Sequence, residues 1–204
     1  MPDADPSLIL KPASYIEKLD WTKIFPAPQP VEIELGSGDG SFLAQYAKLH
    51  PETNFLGVER LLGRLRKLNK KGLRHGLKNL ALLRLEASYL MEFLVAPGSI
   101  RALHVYFPDP WPKRKHRKNR LINERFTDLT AHALQPGGIA WLRTDDLDYF
   151  QQMTRVFNAN PRFAPIETPE ELSTVVTDFE RNFHLRGVPT NRAAYQKLPT
   201  PIPQ

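Results

Sequence analysis

The residues most able to do chemistry lie in one stretch. Phe107-Pro108-Asp109-Pro110-Trp111-Pro112 runs directly into Lys113-Arg114-Lys115-His116-Arg117-Lys118-Asn119-Arg120. Each proline fixes its own φ and biases the residue before it towards extended backbone, so Asp109 and Trp111 are expected on a rigid edge. An indole beside a carboxylate can receive a planar base, the ring by stacking and the acid by accepting N–H donors. Six of the eight residues from Lys113 to Arg120 are Lys or Arg and none is acidic, which suits a polyphosphate partner. The apolar run Ala102 to Phe107 leads into this tip and reads as a buried strand.

A second group must face the tip for any reaction to occur. Val31-Glu32-Ile33-Glu34-Leu35 alternates as a strand does and enters Gly36-Ser37-Gly38-Asp39-Gly40. Ser41 to Leu49 then has helical spacing, so the unit is strand, glycine turn, helix, the first half of a nucleotide-binding α/β motif. The glycines are spaced G-x-G-x-G, not G-x-G-x-x-G, and no phosphate-binding Lys follows, which argues against a dinucleotide or P-loop site. Glu34, just before the glycines, would repel a pyrophosphate but suits a cationic cofactor such as S-adenosylmethionine. Phe55 to Glu59 is the second strand, and its terminal carboxylate is placed to accept ribose hydroxyls. Asn79 to Ala87 is the third strand and again carries an acid, Glu86, at its end.

The remaining elements frame this pair. Leu61 to Leu73 reads as a helix with Leu61, Leu62, Leu65 and Leu68 inward. Arg60, Arg64, Arg66, Lys67, Lys70, Lys71, Arg74 and Lys78 are placed outward, as a secondary RNA-facing surface. Leu121 to Leu134 is expected as a helix stopped by Pro136-Gly137-Gly138, with a fifth strand over Ile139 to Leu142. Asp146 is a candidate helix cap, whereas Asp145 has no such duty and is assigned to the site. Arg162 to Pro169 reads as irregular or short strand, Thr174 to Gly187 as containing a helix, and Ala193 to Leu198 as a closing strand. The expected organisation is an arm over 1–30 carrying a short helix, a single domain over 31–198, and a tail over 199–204.

Composition narrows the partners. A chain of 204 residues can bury a core without staples. It has no cysteine, so disulfides and thiolate chemistry are excluded. The formal charge is +6 at pH 7, which points to an anionic partner. No apolar run is long enough to span a bilayer, and the first residues carry acids rather than a signal peptide's basic start; a cytoplasmic protein is expected. Neither a membrane partner nor a metal is expected, and monomer and homodimer both fit.

These motifs, in this order, resemble the bacterial tRNA (guanine-N7-)-methyltransferase family over nearly the whole chain. The resemblance is carried by Glu34 to Gly40, Gly57-Val58-Glu59, Asn79 to Ala87, Phe107 to Lys118, Thr144-Asp145 and Thr177-Asp178-Phe179-Glu180. It implies an α/β, Rossmann-like class I methyltransferase fold with a seven-stranded, mostly parallel sheet and helices on both faces. It also implies S-adenosylmethionine as donor and a variable-loop guanosine of tRNA as acceptor. Glu34, Gly36, Gly38, Glu59, Glu86 and Asp109 match cofactor-contacting positions, with Asp109 the active-site acid. Lys113, Asp145, Thr177, Asp178, Phe179 and Glu180 match substrate-contacting ones, and Lys115, His116, Arg117, Lys118, Asn119 and Arg120 the RNA-interacting segment. The family usually has aspartate where Glu86 stands and often a basic residue where Asn182 stands.

Guanine N7 is a free lone pair, so such a reaction needs alignment and a dry site rather than a strong base. Two other readings share the fold. Methyltransferases of exocyclic amines use an Asp/Asn-Pro-Pro-aromatic tip, whereas the order here is Asp109-Pro110-Trp111-Pro112. A non-catalytic RNA-binding protein would have no use for Glu34, Glu59 and the glycine turn. A dehydrogenase is disfavoured by the glycine spacing.

Overall fold

The computed structural model describes residues 7–199. Residues 1–6 of the expected arm and 200–204 of the expected tail lie outside the described residues. Seven strands form one sheet: β1 (Val31–Leu35), β2 (Asn54–Val58), β3 (Leu80–Leu83), β4 (Ile100–Tyr106), β5 (Leu134–Thr144), β6 (Phe163–Ile166) and β7 (Asn191–Lys197). Their order is β3-β2-β1-β4-β5-β7-β6, with β7 antiparallel to both neighbours and the other adjacent pairs parallel. The chain steps outward from β1 to β3, then returns to place β4 on β1's other side. That reversal opens a crevice beyond the carboxyl ends of β1 and β4, where ligands of open α/β sheets bind.

Both faces are covered. On one, Leu43 of α2 (Leu43–Leu49) and Leu65 and Leu68 of α3 (Leu62–Arg74) share a buried cluster with Phe55, Leu80 and Leu82 of the sheet. On the other, α5 (Glu124–Ala133) and α6 (Leu147–Asn158) bring Phe126, Tyr149, Met153 and Phe157 against Ile33, Val105 and Leu142. The remaining helical pieces are α1 (Trp21–Ile24), α4 (Ala87–Tyr89) with a π-helical turn at Leu90–Leu94, a 3₁₀ turn at Arg114–Asn119, α7 (Glu170–Thr174) and α8 (Asp178–His184).

Residues 7–30 pack along the sheet. Leu10 N–H donates to Leu82 C=O at 2.8 Å, and Leu82 N–H donates to Leu8 C=O at 2.9 Å, so this segment occupies the open edge of β3. Leu10, Leu19, Trp21 and Ile24 rest on the core, and Phe25 is buried in it. A bare β3 edge would invite pairing with another chain.

Two expectations are corrected here. Helix α5 ends at Ala133, and Leu134 already belongs to β5, where it pairs with Ile100. A single buried leucine satisfies helical and strand spacing equally, so periodicity could not place that boundary. Pro136-Gly137-Gly138 lies inside β5 as an irregularity at which the β4–β5 register shifts. A Cβ at Gly138 would sit 2.9 Å from two carbonyl oxygens, those of Arg101 and Gln135, which is why the kink needs glycine. Secondly, Leu61 is 48% exposed and stands at the site rather than in the core.

Candidate active site

The crevice holds a cavity of about 410 Å³ lined by the carboxyl ends of four strands. Leu35 and Gly36 come from β1, Val58 and Glu59 from β2, Leu85 and Glu86 from the end of β3, and Tyr106 to Asp109 from β4. Trp111, Asn119 and Leu121, which follow β4, and Arg60, Leu61 and Arg64, which follow β2, complete the lining. The glycine turn and the acid–indole tip, some seventy residues apart in sequence, therefore face one space.

The turn is shaped by φ values that side chains resist. Gly36, Gly38 and Gly40 lie at φ +74°, +56° and +75°. Gly40 is required twice over, since a Cβ there would come within 2.1 Å of Leu68 Cδ1. Gly38 N–H donates to Glu59 Oε2 at 3.1 Å and Leu61 N–H to Glu59 Oε1 at 2.7 Å, so Glu59 is fixed with lone pairs left over. Glu86 lines the same cavity while capping α4, its Oε2 accepting from Tyr89 N–H at 2.8 Å.

The two acids of β1 separate structure from function. The strand is central and covered on both faces, so Glu32 and Glu34 are both buried, at 4% and 3% exposure. Glu32 is satisfied: Arg101 and His104 Nε2 reach it at 2.6 and 2.8 Å. Burial would raise its carboxyl, but His104 and Arg101 outweigh that and hold it below the usual range. Glu34 Oε2 has no hydrogen-bond partner. Burial pushes its carboxyl up to about 8; Arg143 opposes the shift, and Asp39 and Glu59 add to it. An orphaned buried carboxyl one residue behind the cavity wall, which a nearby cation would ionise, fits a cationic ligand, and an aliphatic or purely anionic one would leave it unmatched.

A pH prediction follows. Between its unfolded pKa near 4.5 and about 8, folded Glu34 holds a proton the unfolded chain has lost, so its contribution to stability falls as pH rises through that window and levels off above it. Glu34→Gln should therefore gain on the parent as pH goes from 5 to 8.5, measured by urea unfolding at each pH. A constant difference between the two proteins would place the Glu34 titration outside that window.

The tip departs from the expected extended backbone. Phe107 and Trp111, each preceding a proline, adopt φ +51° and +43°. Left-handed φ is uncommon for bulky residues, so this strain is held by surrounding contacts. Phe107 N–H donates to Arg143 C=O at 2.8 Å, and its ring lies 6.5 and 6.2 Å from those of Phe179 and Phe183. Trp111 is 37% exposed, with its ring edge-on to His116. Asp109 is exposed into the cavity mouth.

A family profile described as "Putative methyltransferase" matches residues 28–193. A tRNA (guanine-N(7)-)-methyltransferase of Myxococcus xanthus is 32% identical over 182 residues, 87% of this chain and 88% of that one. The protein of the same name from Streptomyces avermitilis is 39% identical over 146 residues, 71% of this chain and 50% of that one. The chain belongs to the tRNA (guanine-N(7)-)-methyltransferase family. Solved structures add the fold, a Rossmann-like class I methyltransferase. The 16S rRNA methyltransferase KamB superposes with a TM-score of 0.62 at 14% identity, over 88% of this chain and 93% of that chain. A 16S rRNA (adenine(1408)-N(1))-methyltransferase solved with its cosubstrate SAM gives 0.57 at 14% identity, over 92% and 95%.

The other family positions divide by exposure. Lys113, Lys115, Arg117, Lys118 and Asn119 are exposed and His116 partly so. Arg120, expected on RNA, is 3% exposed and bonded through all three nitrogens: Nε donates to Pro110 C=O at 2.7 Å, Nη2 pairs with Asp148 at 2.6 Å, and Nη1 reaches Gln152 at 2.9 Å. It braces the tip from behind, and burial rather than exposure sets it apart from the phosphate-facing cations. Glu180, expected on the substrate, is 0% exposed, with Arg143 at 3.0 Å and Arg192 at 2.6 Å on its two oxygens. Thr177 caps α8 and exchanges capping-box bonds with Glu180. These two build the start of α8, with both Glu180 oxygens held by arginines. Asp178 N–H donates to Ser41 Oγ at 3.0 Å, which ties α8 to the glycine-turn segment. Phe179 remains 55% exposed. Asp145 is partly buried beyond the end of β5, outside the cavity lining, while Asp146 caps α6 as expected.

Sequence reasoning missed Arg143. It is 2% exposed, stands 4.1 Å over the Tyr106 ring and 5.3 Å over Phe42, and donates to Glu180 and the carbonyls of Leu172 and Val175. The one available signal was a cation between Leu142 and Thr144 at the end of an apolar strand.

Proposed function

We propose that the chain transfers a methyl group from S-adenosylmethionine to N7 of a guanosine in tRNA, with the variable loop as the site. The observation that carries this reading is the single cavity shared by Gly36, Glu59, Glu86 and Asp109 beneath a cationic rim, in a chain of this family. The donor, when bound, supplies an electrophilic methyl on a sulfonium. Glu34 would neutralise its cationic end, Glu59 would accept from ribose hydroxyls, and Glu86 would meet the adenine edge with the oxygen not used on Tyr89.

The protein's remaining task is placement. N7 carries no proton, so no residue needs to abstract one before attack. Asp109 and the Trp111 indole would hold the purine, the acid accepting from its N–H donors and the ring covering a face. As the purine becomes cationic, a carboxylate held at the tip by Arg120 and the prolines stabilises the developing charge without reorganising. Alignment of this kind can lower a barrier by several kcal/mol. The exposed cations of the 3₁₀ turn would hold the backbone while the base is drawn out of the folded RNA, at a cost of a few kcal/mol. The same reading places the protein in the cytoplasm beside its RNA.

Incubation with unmodified tRNA and labelled donor, followed by reduction and aniline cleavage, should map the label to one 7-methylguanosine. Label on an exocyclic amine would transfer the protein to the rival chemistry. Neutralising Lys115, Arg117 and Lys118 to glutamine should weaken tRNA binding and flatten its log–log salt dependence by about 2. An unchanged slope would show the turn to be merely solvated.

A further inference from the structure

Helix α3 carries a charge pattern that its role in the fold does not require. Leu65, Leu68 and Gly72 face the sheet and are buried. The opposite face presents Arg64, Arg66, Lys67, Lys70 and Arg74, with Arg60 just ahead of the helix, all exposed. Residues 60 to 78 include no acid, and among the described residues none of these six cations makes an ion pair. By contrast Lys71, on the inner flank, is paired with Asp39 at 3.1 Å.

Such a face destabilises its own helix. Arg66 and Lys70, and Lys70 and Arg74, are like charges four apart on the helix, which repel. Arg64 stands near the positive end of the helix dipole, where an acid would be favoured. Nothing among the described residues offsets these terms, and an external polyanion would. The position suits one. Arg60 and Arg64 line the cavity just after β2, Trp111 and Asn119 line it after β4, and β2 and β4 flank β1 on opposite sides. At 1.5 Å per residue, Arg74 lies about 15 Å farther along the axis from Arg64, leading away from the mouth. The helix also lies toward the β3 end of the sheet, connecting β2 to β3.

We infer that the solvent face of α3 is a second docking track for the tRNA backbone, set across the cavity from the 3₁₀ turn and extending beyond the methylated nucleotide. This rests on the reading of the protein as a tRNA methyltransferase. The two cationic elements straddle the cavity, so a strand whose base enters it has phosphates to place on both sides. Affinity and register for whole tRNA are then set in part at a distance from the chemistry, which a short RNA cannot exploit.

The test compares the parent protein with R66Q/K67Q/K70Q/R74Q, leaving the cavity-lining Arg60 and Arg64 in place. Binding is measured to full-length unmodified tRNA and to a short stem-loop containing the target guanosine. For whole tRNA the variant should bind roughly tenfold to a hundredfold more weakly at 0.1 M salt, with a log–log salt slope shallower by about 3. Stem-loop binding, donor binding and kcat at saturating tRNA should stay at parent values. The charge-keeping variant R66K/K67R/K70R/R74K should bind whole tRNA as the parent does. Parent-like affinity and slope in a quadruple variant with an unchanged circular dichroism spectrum would overturn the inference, leaving α3 a solvated face. Equal losses for both RNAs would also overturn it, since they would place the damage at the cavity. If the parent bound tRNA without methylating N7, the assigned reaction would fail, while the docking track would still be decided by the two binding slopes.

Discussion

Asp109→Ala should lower the rate of methyl transfer to tRNA by at least about 10²–10³-fold, the range seen when one preorganised transition-state contact is lost. Affinity for tRNA should change little, because Asp109 contributes no cation to phosphate binding. The isosteric Asp109→Asn separates two parts of the effect. It keeps the shape of a tip braced by Arg120 at the Pro110 carbonyl, but removes the charge and one acceptor. If charge stabilisation of the cationic purine dominates, asparagine should be nearly as slow as alanine; if geometry dominates, it should recover most of the rate. Single-turnover transfer with saturating enzyme, beside filter binding of the same tRNA, reads both quantities. Near-parental turnover in Asp109→Ala would remove this residue from the mechanism.

Arg143→Met should have the largest effect on stability. Arg143 and Glu180 are 2% and 0% exposed, so removing the cation leaves a buried carboxylate held by Arg192 alone. Breaking such a pair costs about 3–5 kcal/mol. For a domain of this size that corresponds to a melting temperature lower by roughly 10 °C. The loss should extend beyond stability. Arg143 also holds the carbonyls of Leu172 and Val175, so α7 and α8 depend on it, and with them the Phe179 and Phe183 rings that support Phe107 at the tip. Methyl transfer should therefore fall even at temperatures where the variant stays folded. The double replacement Arg143→Met with Glu180→Leu removes both charges and should be less destabilised than Arg143→Met alone. A double variant as unstable as the sum of two independent losses would mean that the residues do not act as a pair.

Much of the architecture could be read from local pattern. The strands β1, β2 and β4, the glycine turn, the helix α3 and the Asp146 cap of α6 all fall within a few residues of where the sequence put them. The acids Glu59, Glu86 and Asp109 were legible for the same reason: an acid just past a buried strand has few places to go. What spacing could not supply was the boundary at Leu134, where one buried residue satisfies two periods, or the left-handed φ of Phe107 and Trp111. The local bias of residues before proline points the other way, and only tertiary contacts override it, those of Phe107 with α8 and of Trp111 with His116.

Charges mark the division most clearly. In the sequence Arg117 and Arg120 are equivalent members of one basic run, as Glu32 and Glu34 are of one strand. Tertiary structure makes Arg117 an exposed cation and Arg120 a buried brace, and it matches Glu32 with Arg101 and His104 while leaving Glu34 Oε2 unpaired. Arg143 and Glu180 lie 37 residues apart. The sequence by itself determined the alternation of strand and helix, the glycine turn and the stations of the acids, because backbone sterics and side-chain period act over a few residues. Which charges face a ligand and which hold the frame was decided only by the fold, because a charge is buried at acceptable cost only where distant segments bring it a partner.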